Sequence, residues 1–317
     1  MVEVIEADDA TIVEWTASWR DRLHAWYGGL GAPHFADSLA RAFAGATDRA
    51  VATLVADGER CGQLAIFVGR REDREATVAT VIDLWVDPAV RGRGYGRAAR
   101  EFAERWSAEH ASEAGIMCWS DDPALIGLYA TYPVRYQRMI KAVNDAPATP
   151  EGLTIRPMRA DEYAPWLANE VTAYAADLTD SGTLSAADAA QVSIAGYEEL
   201  LPDGLATPGS EWAVVEADGL AVATIWVSHD LTDVGALPGG LSFVYSVETV
   251  PGQRGRGYGR AAMLAGEAMT ARAGNTYLAL NVFGHNNAAI RLYDKLGYRV
   301  LDQSRSVPSG AGMKRSI

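Results

Sequence analysis

Nine residues, Arg91-Gly92-Arg93-Gly94-Tyr95-Gly96-Arg97-Ala98-Ala99, recur letter for letter as Arg254-Gly255-Arg256-Gly257-Tyr258-Gly259-Arg260-Ala261-Ala262. Each copy follows an apolar, strand-like run and opens a helical pattern. A helix N-terminus carries unpaired N–H groups and a partial positive charge. Glycines there let the backbone approach a phosphate closely. The pattern reads as an anion pocket present twice, at the same place in each half. A repeat of this kind makes the 317-residue chain a tandem of two related domains.

The halves share one plan. In the first, strands are expected near 2–6, 50–57, 61–69 and 77–87, with a helical region over 8–45. The glycine loop, a helix over 95–111, a strand at 115–119, a short helix over 123–131 and a final strand follow. The second repeats this with strands near 153–157, 211–217, 220–228, 241–250, 276–282 and 298–302. Its helices are expected near 160–177, 186–201, 258–273 and 286–296. Alternation and β-branched or aromatic content mark the strands, and 3.6-residue spacing marks the helices. The small, polar, proline-bearing stretch 143–152 reads as a linker between domains over 1–142 and 153–317. The class is α+β, a central sheet flanked by helices in each domain.

With 49% hydrophobic residues, each half can bury a core. No apolar run reaches the ~18 residues that span a bilayer, and Val2-Glu3-Val4-Ile5-Glu6 lacks the cationic start of a signal peptide. The expectation is a cytoplasmic chain without a membrane partner. A net charge of −13 argues against nucleic acid as the main partner. Cys61 and Cys118 allow one disulfide, but buried free thiols are the expectation in a cytosolic chain. With no nearby histidine ligands they give no metal signature.

Three other loops compete for the glycine pattern. A phosphate-binding Gly-Lys-Ser/Thr loop is excluded, because Gly96 is followed by Arg97-Ala98. In a dinucleotide fingerprint the third glycine would come one residue later than Gly96 and Gly259 do. A disordered Arg-Gly tail would not be tied to an apolar strand and a helix. A purely structural turn explains one copy better than it explains two.

The wider order is strand, Arg-x-x-Gly-x-Gly, helix, strand and Asn-x-x-Ala-x-x-Leu-Tyr. In the second half it runs Tyr245 to Pro251, Arg254 to Gly259, Leu280-Asn281-Val282 and Asn286 to Tyr298. This closely resembles the GNAT superfamily of acyl-CoA-dependent N-acyltransferases. Both halves share the likeness, so the chain resembles a tandem GNAT protein, an arrangement also seen in mycothiol-synthase-like proteins. The resemblance implies two domains, each with a mixed, mostly antiparallel sheet flanked by helices.

It also implies direct attack of an amine on an acyl-CoA thioester. The cofactor is then acetyl-CoA or another acyl-CoA. Arg254, Gly255, Arg256, Gly257, Tyr258, Gly259 and Arg260 match the pyrophosphate loop. Val247, Thr249 and Val250 match the strand along which the pantetheine arm lies. Asn281, Asn286 and Ala289 match its flank, and Tyr293 matches the tyrosine that protonates the CoA thiolate. Glu248, on the strand beside the thioester slot, is the candidate base, since an amine is mostly protonated at neutral pH.

The first half keeps its loop, Arg91, Gly92, Arg93, Gly94, Tyr95, Gly96 and Arg97, but departs around it. Trp85 stands where Glu248 stands, with Asp83 two residues earlier. Asp122 and Leu125 replace Asn286 and Ala289, while Tyr129 keeps the tyrosine. The expectation is a first half that grips CoA without catalysing and a second half that catalyses. The acceptor is expected to be a small-molecule amine. The alternatives are a protein N-terminus or lysine, or a non-catalytic acyl-CoA sensor. Trp166, Tyr174, Tyr197, Trp212, Trp226 and Tyr245 either line an acceptor cleft or form core. No metal is expected, and the oligomeric expectation is a monomer or homodimer.

Overall fold

The computed structural model describes residues 2–70, 77–180, 184–229 and 240–309. In chain order the elements are β1 (Val2–Glu6), α1 (Asp9–Gly29), α2 (His34–Gly45), β2 (Arg49–Ala56), β3 (Glu59–Arg70), β4 (Thr77–Val86), α3 (Tyr95–His110), β5 (Glu113–Cys118), α4 (Pro123–Leu128) and β6 (Val134–Ala142). Then come β7 (Leu153–Pro157), α5 (Ala160–Asp180), α6 (Ala186–Leu200), β8 (Ser210–Ala217), β9 (Leu220–Ser228), β10 (Leu241–Thr249), α7 (Tyr258–Arg272), β11 (Tyr277–Phe283), α8 (Asn287–Lys295) and β12 (Arg299–Pro308). The expected mixed α+β plan is present in both halves. The main difference is at the end, where β12 runs on to Pro308.

Two compact units result. One holds the chain up to Gln137 together with the residues from Leu301 on; the other is Arg138–Val300. The boundary therefore falls inside β6 and inside β12, not in the 143–152 stretch. In the first unit the strand order is β1-β2-β3-β4-β5-β12, and in the second it is β6-β11-β10-β9-β8-β7. β12 lies antiparallel on β5, with Gln303 opposite Cys118 and Pro308 opposite Glu113. In the second unit the segment after β6 is held too: Val143 is buried and its N–H donates to Thr276 O at 2.7 Å. An edge strand pairs wherever its pattern and register fit, so chain halves and compact units need not coincide. β4–β5 and β10–β11 pair in parallel.

Local chemistry explains four of the helix starts. Asp8, Asp122, Ser185 and Asn286 each cap a helix by accepting a backbone N–H from within its first turn. α3 and α7 differ. Their caps are Gly94 and Gly257, both left-handed and without a side-chain acceptor. Those two helices alone follow the repeated loop.

Each unit has its own core. In the first, α3 covers β2–β5 through Ala99 and Ala103 against Leu54, Leu64, Ile66 and Ile116. In the second, α7 covers one sheet face with Ala262, Met263 and Met269 against Ile225, Val227 and Leu278. On the opposite face Trp166, Trp212 and Trp226 form a separate cluster beneath α5.

Candidate functional site

In both units a parallel ladder opens at the same place. β10 pairs with β11 from Leu241–Tyr277 to Val244–Leu280, and β4 pairs with β5 from Val78–Glu113 to Val81–Ile116. Beyond that, β10 continues to Thr249 and β4 to Val86 as partners of β9 and β3. The change coincides with a bulge. On β10 the register jumps from Val244 to Ser246, leaving Tyr245 extra; on β4 it jumps from Val81 to Asp83, leaving Ile82 extra. A bulge bends its strand and interrupts the ladder. A slot follows on the side away from β9 or β3.

The glycine loop stands at the far end of each slot. Gly92 and Gly94 have φ of 81° and 87°, and Gly255 and Gly257 have 80° and 86°. This region strains any residue with a Cβ. A Cβ at these four positions would meet nothing within 4 Å, so conformation and close approach, rather than packing, call for glycine here. Uncapped N–H groups at the start of α3 and α7, with no acidic residue in the first turn, suit an anion. The loops differ in one respect. Arg91 is held by Asp122 at 3.2 Å and donates to Val86 O at 3.0 Å, whereas Arg254 makes no ion pair among the described residues.

Around the second slot, Glu248 is half-buried and two residues on from Ser246, hence on the same strand face. Val247 points the other way, into the α7 core. Thr249 packs close to the loop: its Oγ1 would lie 3.3 Å from a Cβ on Gly259. Val250 is exposed, and so is Asn281 on β11, one residue past the last pair with β10. Asn286 accepts Ala289 N–H at 3.1 Å through its side-chain oxygen. Its amide N–H groups have no partner among the described residues, and the residue is exposed. Tyr293 is 5% exposed, its hydroxyl has no hydrogen bond among the described residues, and burial pushes its pKa up to about 12.

The first slot is built from the same positions with other side chains. Trp119 Nε1 donates to Ile82 O, bridging from the end of β5 to the bulge. The equivalent residue in the second unit is Phe283, which cannot donate. Asp83 is gripped by Arg22 through two bonds of 2.9 and 2.7 Å and by Trp15 Nε1 at 2.8 Å. Tyr129 is 1% exposed with an unpartnered buried hydroxyl, and its ring lies under the Arg100 guanidinium at 5.3 Å. Burial holds that phenol well above the usual tyrosine range. A cleft of about 440 Å³ remains, lined among others by Trp26, Asp83, Trp85 and Asp121.

The aromatic residues divide. Trp166, Trp212 and Trp226 are core, whereas Tyr174 and Tyr245 are 39% and 37% exposed. Tyr245 stacks on Trp226 at 4.6 Å. His285 meets Asp177 at 3.2 Å, and His229 bonds Ser242 at 2.8 Å and faces Glu211 at 3.3 Å. Cys61 and Cys118 are free and buried, and burial raises both thiols, Cys118 to about 11. Among the described residues no metal-binding group of side chains occurs, and no helix is long and apolar enough to cross a membrane.

One group was missed from the sequence. Glu170 on α5 is 8% exposed, accepts Ser246 O–H at 2.6 Å and Tyr197 O–H at 3.1 Å. Burial raises its pKa, with the nearby Glu248 charge adding and both hydroxyls opposing. A sequence mark existed: Tyr163, Trp166, Leu167, Glu170 and Tyr174 lie on one helix stripe, and only Glu170 is charged.

Comparison with known proteins follows the same duplication. The acetyltransferase (GNAT) family model matches residues 9–131 and again 177–298. A mycothiol acetyltransferase of Nocardiopsis dassonvillei is 33% identical over 246 residues, which cover 68% of this chain and 70% of that protein. The uncharacterized N-acetyltransferase YycN of Bacillus subtilis is 28% identical over 151 residues, covering 47% of this chain and 94% of its own length. Among solved structures, a tandem GNAT protein from the clavulanic acid biosynthesis pathway covers 98% of this chain and 99% of its own, with TM-score 0.44 and 18% identity.

Proposed function

The chain belongs to the acetyltransferase (GNAT) family, and from that premise we propose that its second unit transfers an acetyl group from acetyl-CoA to a primary amine of a small molecule, by direct attack in a ternary complex. The observation that carries the choice of unit is the contrast at the bulge. Beside Tyr245 the carboxylates Glu170 and Glu248 have no cation partner among the described residues. Beside Ile82 the carboxylate of Asp83 is neutralised and Trp119 spans the slot.

In this reading, Arg254 to Arg260 hold the pyrophosphate with backbone N–H groups and guanidinium charge. The pantetheine arm lies along Val247, Thr249 and Val250, flanked by Asn281, Asn286 and Ala289. An N–H near Tyr245 polarises the thioester carbonyl. Glu248 takes a proton from the amine, directly or through a water. Tyr293, kept protonated by burial, supplies a proton to the departing sulfur. Arg91 to Arg97 hold a second CoA that is not turned over. Relatives named as mycothiol acetyltransferases support a small-molecule acceptor.

Thiol release from acetyl-CoA, measured against panels of small amines and of peptides, tests the proposal. Release with small amines is expected. Release with peptides alone moves the acceptor to protein. CoA binding without release on any acceptor makes the protein a sensor instead.

A further inference from the structure

We propose that Glu170 is the terminal proton acceptor of the transfer, reached from the acceptor nitrogen through the hydroxyl of Ser246; this rests on the reading of the second unit as catalytic. Ser246 directly follows the bulged Tyr245, so it stands on β10 just past its last pair with β11, where the slot opens. Its proton is already aimed at Glu170 Oε1, 2.6 Å away.

The reaction needs more than one acceptor. A protonated amine gives up one proton before attack, and its nitrogen gives up a second once the N–C bond forms and the C–S bond breaks. The first goes to Glu248; the thiolate takes one proton from Tyr293, and the proton held by Glu248 returns through solvent to restore that phenol. The second must leave through a group that can hold it until solvent exchange. When the nitrogen's proton passes to Ser246 Oγ, the Ser246 proton passes to Glu170 Oε1, and charge and atoms balance.

The two units show what is particular to Glu170. α1 and α5 have the same length and follow strands of the same length, so Trp15 matches Trp166 and Trp19 matches Glu170. Asp83 matches Ser246. The first unit thus keeps its carboxylate on the strand, tied to Arg22, and packs Trp19 where the second unit places Glu170. The second unit moves the carboxylate to the helix, buries it, and joins it to the strand by a hydroxyl. A buried carboxylate without a cation is costly to keep ionised. As a structural tie it would be a poor choice; as a proton acceptor it has a raised affinity for protons.

The ionisable groups facing Glu170 are Tyr197 from α6 and Glu248 from β10, and among the described residues no cation pairs with it. Further along α5, Asp177 meets His285. An unprotonated base is required, so kcat/KM falls as pH falls through the pKa of the acceptor. Burial places that limb above the ordinary carboxylate range.

The test uses the full chain, acetyl-CoA and the panel amine with the fastest release. Glu170→Gln keeps shape and a hydrogen-bond acceptor but cannot take a proton. The expected result is a fall in kcat of about 100-fold, KM for acetyl-CoA within about twofold of wild type, and loss of the acidic limb. Glu170→Asp should restore the limb. Ser246→Ala should lower kcat by about tenfold, with water replacing the hydroxyl. Infrared difference spectra of the free protein should show a buried carboxyl titrating above the usual Glu range, absent from the Gln variant. Wild-type kinetics in Glu170→Gln, a loss that leaves the pH profile unchanged in shape, or an unaltered infrared band would each overturn the proposal. If no amine releases thiol, the acyl-transfer reading fails and takes this step with it. Release by wild type with an unchanged Gln variant sinks this step alone.

Discussion

Tyr129 and Tyr293 occupy matching places at the ends of α4 and α8, and their surroundings differ. Tyr129 is capped by Arg100 and has nowhere to send a proton. Tyr293 is raised to about 12 by burial, which leaves it protonated at neutral pH and able to supply a proton to a thiolate. Tyr293→Phe should therefore lower kcat by at least about tenfold in steady-state thiol release. Tyr129→Phe should leave turnover within about twofold and hold or raise stability, because it deletes an unsatisfied buried hydroxyl. The reverse kinetic pattern would transfer catalysis to the first unit. Tyr293 and Glu248 could be singled out from sequence because both are spaced from the glycine loop along the chain. Glu170 was marked only as the one charge on its helix stripe; its partner was hidden, since it meets Ser246 across 76 residues. Overlaying the two copies, with Trp19 against Glu170, brings it out further.

At the scale of elements, the two helices that follow the repeated loop stand apart, because each starts on a left-handed glycine without a side-chain cap. Gly257 leaves the first turn of α7 open and sets its direction. Gly257→Ala should cost about 1 kcal/mol of left-handed strain, and calorimetry with CoA should show the affinity of the second unit falling while a binding event in the first persists. Equal loss from both would contradict two independent loops. A second element-scale tie is Arg156 on β7, which bonds Glu162 of α5 at 2.6 and 2.7 Å and Glu216 of β8 at 2.8 Å. The Arg156 hydrogen bonds hold Glu162 down to about 2. A carboxylate depressed in the folded state stabilises above its unfolded pKa, about 4.3, and that stabilisation is lost as pH falls toward 2. Urea midpoints should drop between those values, and Glu162→Gln should flatten the drop. Strands, helices and left-handed glycines were legible because each depends on near neighbours. The bulges at Ile82 and Tyr245 were not, since nothing in Val81-Ile82-Asp83 or Val244-Tyr245-Ser246 marks an extra residue until the partner strand is known.

For the whole molecule, chain order and compact unit part company at β6 and β12. Alternation identifies both as amphipathic strands, and either could lie on β5 or β11 by pattern alone; sequence therefore places boundaries at the linker, where composition changes. Side chains settle the matter. Trp26 Nε1 of α1 donates to Leu301 O at 2.8 Å, and the Tyr27 hydroxyl donates to Asp302 at 2.9 Å. Ser306 donates to the buried Glu113 at 2.8 Å and accepts from Arg135 Nε at 3.0 Å. In the second unit, Met139 lies in the core and Lys141 reaches Glu267 at 2.7 Å. A contiguous half is then incomplete by one strand. Ending the chain after Val300 should strip β5 of its antiparallel partner and leave Glu113 without its Ser306 donor, with a cost of about 3 kcal/mol from that buried carboxylate and the lost ladder together. Hydrogen exchange should report it as lost protection in β5 and in the last turns of α1, far in sequence from the deletion. Residues of β8 to β10 and α7 should keep theirs. Protection lost evenly, or lost first in β10, would mean that β12 does not belong to the fold of the first unit. Ser306→Pro, which removes one ladder donor opposite Gly115, should produce the same pattern in milder form with the chain intact.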